Sequence, residues 1–153
     1  MRLREIELSF VVRDAVAPLG TVVNQPEKVA DAFRFLEGRT KEQFWMAILD
    51  GRHSIVGIHR VSEGTVGASL VHPREVFLPA LHAAASAIIV VHNHPSGHPD
   101  PSEEDIAVTK RLIESGRLLG IPVLDHVVIG RGRFTSLRRE GLVDFQSTTM
   151  LTQ

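Results

Sequence analysis

Two histidines stand two residues apart at the end of an apolar run, and an acid follows at a fixed distance. His92 and His94 come directly after residues 87–91, and Asp105 lies eleven residues beyond His94. Because alternate side chains of a strand point to the same side, the two imidazoles project together. Two imidazoles and one carboxylate leave the fourth position of a tetrahedral zinc ion open for water, as in catalytic zinc sites. The spacing therefore predicts a metal site formed by His92, His94 and Asp105.

The loop between the histidine pair and Asp105 has a composition that favours a fixed path. Its prolines stiffen it, and Gly97 allows a sharp turn before a helix that begins near Ser102. Structural alternatives exist for every residue. Ser102 and Asp105 match a capping box at a helix start, His92 can be a polar strand end, and His94 can bond to the loop backbone. Singly these alternatives are as good as the functional one, but their convergence on one point favours a metal.

The composition limits the ligands and partners of the chain. The 153 residues are 43% hydrophobic and 23% charged, which is typical of one soluble globular domain. We expect this domain to span residues 1–145 and a flexible tail to span 146–153. The absence of cysteine excludes disulfides, thiolate metal sites and a cysteine nucleophile. There is no apolar run of the roughly 18 residues that a membrane span needs and no signal-peptide pattern, so we expect a cytoplasmic protein without membrane contact.

The charge of the chain bears on nucleic-acid binding. A net charge of -1 does not support binding driven by charge alone. Four arginines cluster at Arg131, Arg133, Arg138 and Arg139. They can meet phosphates, but a solvated face near a hairpin is the favoured interpretation. Nucleic acid therefore stays a possible partner that the net charge does not support.

The elements that position these residues follow from apolar periodicity and from glycine and proline. Strands are predicted at residues 5–13, 43–49, 54–61, 87–92, 123–129 and 134–137. Helices are predicted at 26–37, from Pro73 through residue 85, and at 102–119, with Gly38 and Gly120 ending the first and the last. Interleaved helices and strands, with a hairpin around Asp50-Gly51, predict an α/β (α+β) domain with a mixed sheet and flanking helices.

The motif residues resemble a superfamily of zinc metalloproteases. The pattern His92-x-His94-x7-Ser102-x2-Asp105 resembles its JAMM (MPN+) motif, H-x-H-x7-S-x2-D, without a gap. The strings HNHPSG at 92–97, HPRE at 72–75 and LDHV at 124–127 look like the RadC-like JAB branch. The resemblance covers roughly residues 20–145. It implies a JAMM/MPN fold, which is similar to the cytidine deaminase-like fold.

The resemblance also implies the rest of the machinery. The family pattern needs an upstream glutamate near the start of a strand, and Glu42 stands there, with Glu37 and Glu63 as weaker candidates. One zinc ion per chain would lower the pKa of water to about 7. Glu42 would take the proton and pass it to the leaving amine, and Ser102 would donate a hydrogen bond to the developing oxyanion. The implied function is a JAMM-type metallopeptidase or isopeptidase with a peptide or protein substrate.

Two other functions stay open. RadC-like proteins carry a DNA-repair label, which suggests a DNA-associated or nuclease role. HNH nucleases, however, spread their three residues over a ββα unit, so the literal HNH at 92–94 is accidental. A non-catalytic metal-binding module is the other alternative, but members of that kind lose the ligands that this chain retains. A zinc deaminase is excluded because its signature needs cysteines.

Residues near the predicted ligands have less defined roles. Asn93 and Ser96 can orient ligands through hydrogen bonds or simply pack the loop. His98 is expected to be exposed. His126, inside a predicted strand, is expected to be a structural histidine.

Overall fold

The computed structural model of the chain describes residues 1–9, 11–13, 20–64 and 71–145. Three α-helices lie at Pro26–Ala32 (α1), Pro73–His82 (α2) and Glu103–Leu119 (α3), and a 3-10 turn lies at Arg34–Leu36. Five strands lie at Glu42–Leu49 (β1), Ile55–Gly64 (β2), Ala87–Asn93 (β3), Val123–Ile129 (β4) and Phe134–Ser136 (β5). None of the helices in these described ranges is long and apolar enough to cross a membrane.

The strands form one sheet in the order β2-β1-β3-β4-β5. β1 pairs antiparallel with both β2 and β3, and β5 pairs antiparallel with β4. β3 and β4 are parallel, and α3 is the crossover between them, since parallel neighbours need such a connection. The predicted mixed sheet with flanking helices is therefore confirmed.

β3 is buried along its whole length, which shows that both faces of the sheet are covered. The α3 face of the sheet packs on α2 and α3, and its core includes Met46, Val76, Phe77, Val90, Leu112 and Val128. The α1 face packs on α1 and the 3-10 turn, and its core includes Val29, Phe33, Leu36, Leu49, Val91 and Val127. The central strands are thus fixed from both sides, and their ends become rigid positions for side chains.

Capping residues fix both ends of α3. At its start the Ser102 side chain accepts a hydrogen bond from the Asp105 backbone N–H, and the Asp105 side chain accepts one from the Ser102 N–H. At its end Gly120 adopts the left-handed conformation, with φ of 74°. Before this end, a Cβ on Gly116 would lie 2.3 Å from the Ile121 carbonyl oxygen. The helix and the connection that follows it can therefore approach each other this closely only because this residue is glycine.

The predicted edge strand at residues 5–13 is wrong for the residues that are described. Residues 5–9 and 11–13 have no strand structure and are exposed, with Ile6 83% and Val11 80% accessible. Alternating apolar residues give a strand only where its backbone groups bond to a neighbour. The prediction of a tail at 146–153 lies outside the described residues.

Two predicted helices are shorter than expected. α1 ends at Ala32, because Phe33 leaves helical geometry at φ −106° and ψ 19°. The tighter 3-10 turn that follows buries both Phe33 and Leu36 completely. α2 contains Pro79 without a break and ends at His82, and soon after it Ala84 has φ of 52°, outside helical geometry.

Candidate metal centre

The predicted site residues meet at one end of the central strand pair. β3 ends just after His92, and β1 begins at Glu42. The two strands are antiparallel, with Phe44 opposite His92, so the start of one lies beside the end of the other. The capping box of α3 brings Asp105 to the same end. Residues far apart in the sequence are therefore placed together by three rigid elements.

The distances between the side chains fit a single metal ion. His92 Nε2 lies 3.0 Å from His94 Nε2 and 3.2 Å from Asp105 Oδ1, and His94 Nε2 lies 3.2 Å from Asp105 Oδ2. Ligand atoms about 2.0–2.2 Å from a tetrahedral metal ion are about 3.3–3.6 Å apart. With Glu42 added, all four ligand atoms lie within 4.8 Å of one another. The described residues therefore contain a group able to hold a metal.

The donor set also fits a cation by its chemistry. His94 Nδ1 lies 2.9 Å from the His98 carbonyl oxygen, which can only accept, so this nitrogen carries a proton. In the neutral ring, Nε2 then presents a lone pair toward Asp105 Oδ2, another acceptor. A cation between them removes this conflict. The same conflict explains why the contact with Asp105 raises the pKa of His94.

Burial alone would raise the pKa of the Asp105 carboxyl, but its contacts with His92 and His94 outweigh burial and lower it. Asp105 is thus ionised, as a carboxylate ligand must be.

Glu42 stands at the edge of the cluster. Its Oε1 lies 3.6 Å from His92 Nε2, and its side chain is 28% exposed. Burial raises the pKa of the Glu42 carboxyl, partly offset by His92 and His94. A raised pKa brings a carboxylate closer to the range in which it works as a general base at neutral pH.

Ser102 and Asp105 cap the helix, and Asp105 faces the cluster at the same time. Asp105 Oδ2 accepts from the Ser102 N–H at 2.8 Å while it lies beside His94. Ser102 Oγ accepts from the Asp105 N–H at 3.1 Å, a bond that uses an oxygen lone pair and not the hydroxyl hydrogen. The capping and metal interpretations of these residues are therefore compatible.

Asn93 has a different role from the ligand orientation considered for it. It is 2% exposed, and its Oδ1 accepts from the Gln43 N–H at 2.7 Å. Its Nδ2 donates to the Lys41 carbonyl oxygen at 3.1 Å. These two bonds hold the backbone on either side of Glu42. Ser96, considered with it, accepts from the His98 N–H at 3.3 Å within the loop.

His126, expected to be structural, contacts a predicted ligand directly. It is fully buried, and its Nε2 lies 2.7 Å from His92 Nδ1. Its Nδ1 lies 2.5 Å from Thr109 Oγ1. Burial, with a contribution from His92, lowers the pKa of His126, so the ring is neutral. Only the register of β3 against β4, which places Val90 opposite His126, brings these rings together, and the sequence does not give it.

A cleft opens onto the cluster beside the end of β2. It is lined by Ser62, Gly64 and Val71 together with Phe44 of β1, Glu42, His92 and Asp105. The remaining candidates for the glutamate bond elsewhere: Glu37 accepts from the Gly132 N–H, and Glu63 pairs with Arg60 at 3.0 Å. Of the candidates, Glu42 is the one that reaches this cleft.

The arginine cluster is partly engaged within the chain. Arg139 forms an exposed ion pair with Glu27, and Arg138 Nη1 donates to the Leu124 carbonyl oxygen at 3.0 Å. Arg133 Nη2 lies 3.3 Å from His98 Nδ1. These contacts agree with the interpretation of a solvated face.

The chain combines a mixed α/β fold with a His–His–Asp group and a neighbouring glutamate. Comparison with known sequences identifies the family of proteins to which it belongs. The family described as RadC-like JAB domain matches residues 23–142. The chain therefore belongs to the RadC-like JAB domain family, and the family resemblance is confirmed.

Individual relatives agree with this membership. A UPF0758 protein of Caldanaerobacter subterraneus subsp. tengcongensis is 49% identical over 128 residues, which are 81% of this chain and 54% of the relative. A UPF0758 protein of Geobacter sulfurreducens is 50% identical over 119 residues, 77% of this chain and 52% of the relative. A UPF0758 protein of Symbiobacterium thermophilum is 47% identical over 141 residues, which are 89% of this chain and 59% of the relative. The chain thus spans somewhat more than half the length of these curated relatives.

Proposed function

We propose that this chain is a zinc-dependent metallohydrolase of JAMM type, a metallopeptidase or isopeptidase acting on a peptide or protein substrate. The observation that supports this most is the four-residue cluster whose ligand atoms lie within 4.8 Å of one another. Two imidazole nitrogens and a carboxylate suit zinc. They leave one position open, as a catalytic site requires.

The ligand side chains suit a permanent site. His92 is 1% exposed and Asp105 is 3% exposed, so both side chains are held by packing. Their contacts with each other and with His94, at 3.0 to 3.2 Å, are close to the spacing of ligand atoms around one metal ion. Bound zinc supplies Lewis-acid activation of water, lowering its pKa to about 7.

The two remaining side chains supply proton transfer and charge stabilisation. Glu42 takes a proton from the attacking water and returns it to the leaving amine. Its raised pKa favours the first of these steps, because a stronger base takes the proton from water more readily. The Ser102 hydroxyl, whose hydrogen is not used in the helix cap, donates to the oxyanion that develops on the substrate carbonyl.

The test separates the base from the metal site. We expect wild-type protein to bind about one zinc ion per chain and to cleave members of an internally quenched peptide library or an isopeptide-linked reporter. The Glu42→Gln variant keeps the shape of the side chain but cannot take a proton. It should retain zinc and lose cleavage by about 10²- to 10⁴-fold.

The matched control is Glu63→Gln, the same change in a residue paired with Arg60. It should keep both zinc and cleavage. Full activity in Glu42→Gln, or loss of activity in Glu63→Gln alone, would show that the base is misassigned. Wild-type protein that binds no zinc would overturn the proposed function.

A further inference from the structure

Behind His92 lies a line of buried polar groups for which the proposed reaction has no use. His92 Nδ1 lies 2.7 Å from His126 Nε2, and His126 Nδ1 lies 2.5 Å from Thr109 Oγ1. The Thr109 hydroxyl donates to the Asp105 carbonyl oxygen at 2.6 Å. His126 and Thr109 are both 0% exposed. Buried polar groups at these distances form real hydrogen bonds with defined directions.

The direction of every bond in this line follows from its last acceptor. A carbonyl oxygen can only accept, so the single hydroxyl hydrogen of Thr109 goes to Asp105. Thr109 Oγ1 must then accept from His126 Nδ1, which therefore carries the proton of that ring. His126 Nε2 is left with a lone pair and can only accept from His92 Nδ1. The proton of neutral His92 thus sits on Nδ1, and its Nε2 lone pair faces Asp105 and His94.

We propose that Thr109 and His126 are positioning residues that fix the tautomer of His92 and so present its Nε2 lone pair to the metal. This inference rests on the proposed function for the metal. Two imidazoles facing each other have no preferred direction, because either ring can donate. Thr109 decides between the two directions, since it can only accept from His126. The reverse direction would place a proton on His92 Nε2 and block coordination.

The two histidine ligands are therefore oriented by different means. His94 Nδ1 donates directly to the His98 carbonyl oxygen, the usual kind of support for a metal ligand. His92 is oriented through two side chains that end at Asp105, whose carboxylate is itself in the cluster. The first turns of α3 thus supply one ligand through the Asp105 side chain and orient another through the Asp105 carbonyl.

The first experiment reads the tautomers directly in wild-type protein. Two-bond ¹H–¹⁵N correlation spectra of the histidine rings are recorded in the metal-free and zinc-loaded forms. We expect a proton on His92 Nδ1 in both forms, and a proton on His126 Nδ1 with a bare Nε2. A bare His92 Nδ1, or a proton on His126 Nε2, overturns the proposal.

The second experiment removes the deciding group and restores it. Thr109→Val is close in shape but lacks the hydroxyl, whereas Thr109→Ser keeps it. Competition with a chromophoric chelator should show zinc affinity about 10- to 100-fold weaker in the valine variant and near wild type in the serine variant. Equal affinity of the two variants, with His92 Nδ1 protonated in both, overturns the role of Thr109. The spectra of wild-type protein decide the tautomers even if the valine variant does not fold.

Failure of the proposed function gives a different result. If wild-type protein shows the expected tautomers but binds no zinc, the assigned directions of the hydrogen bonds are supported and the proposed zinc-dependent function is contradicted. If wild-type protein binds zinc but His92 carries its proton on Nε2 without metal and has a bare Nδ1, the zinc site stands and the line does not.

Discussion

Strand β3 sends its side chains alternately to the two faces of the sheet, and the faces differ where the strand ends. On the α3 face Val90 is followed by His92, and on the α1 face Val91 is followed by Asn93. The two polar residues are equally buried, at 1% and 2% exposure. His92, however, contacts ionisable side chains, including His94 and Asp105, whereas Asn93 bonds to the backbone of the neighbouring chain segment.

The difference shows that buried polar residues at the end of one strand can have two different roles. A buried amide that bonds to backbone groups holds two chain segments in register. Buried imidazoles and a carboxylate whose lone pairs face one another are suited to a cation between them. We therefore expect the α3 face to govern metal binding, and the α1 face to govern stability and the position of Glu42.

The largest effect should come from removing a ligand on the α3 face. His94→Ala and Asp105→Ala each leave two of the three proposed ligands, so the zinc content should fall from about one per chain to near zero. Elemental analysis of purified protein measures this, with circular dichroism to confirm folding. His53→Ala is the matched control, because that histidine lies in the turn between β1 and β2. Undiminished zinc in both ligand variants would contradict the assignment of the site.

The next effect compares equal truncations on the two faces. Leu36 on the α1 face and Leu112 on the α3 face are both 0% exposed, so each change to alanine should cost about 2–5 kcal/mol of unfolding free energy. Leu36→Ala should leave zinc affinity unchanged. Leu112→Ala should weaken it, because Leu112 packs the helix that carries Asp105. Urea denaturation and chelator competition measure the two quantities.

If Leu36→Ala weakens zinc affinity as much as Leu112→Ala does, the expected difference between the two faces is contradicted. The two faces would then respond as one unit, and burial alone would control the site.

The sequence predicted the elements that are locally specified. The segments at 87–92 and 123–129 predicted β3 and β4 almost to the residue. The apolar run at 87–91 is typical of a fully buried strand. The capping residues around α3 gave both of its ends. The segment at 5–13 misled because alternation shows an apolar side and not the partner that a strand needs.

Part of the site was predictable from the sequence, because only some of its residues lie close together along the chain. His92, His94 and Asp105 are close in sequence, so their spacing carried the hypothesis of a metal site. Glu42 came only through the family resemblance, since an acid before a strand is usually solvated. His126 was missed as a partner of His92 because the β3–β4 register joins segments separated by a whole helix. Long-range register is fixed by packing and is not written in any local pattern.

The smallest effect should come from Asn93 on the α1 face, and it tests whether that face also serves the reaction. Asn93→Ala leaves the Gln43 N–H and the Lys41 carbonyl oxygen without their buried partner, at a cost of about 1–3 kcal/mol. Zinc should stay bound, because Asn93 is not a ligand. Peptide cleavage should fall about 10- to 100-fold, because the backbone that carries Glu42 is no longer held in place.

Val91→Ala is the control for this prediction, since Val91 lies on the same strand and face and is 0% exposed. It should lower the unfolding free energy by a similar amount, because a buried side chain is truncated, and it should leave kcat unchanged. If both variants keep kcat, Asn93 only stabilises the sheet. If kcat falls in Asn93→Ala alone, with zinc still bound, the α1 face positions the base although Asn93 is not a proposed ligand.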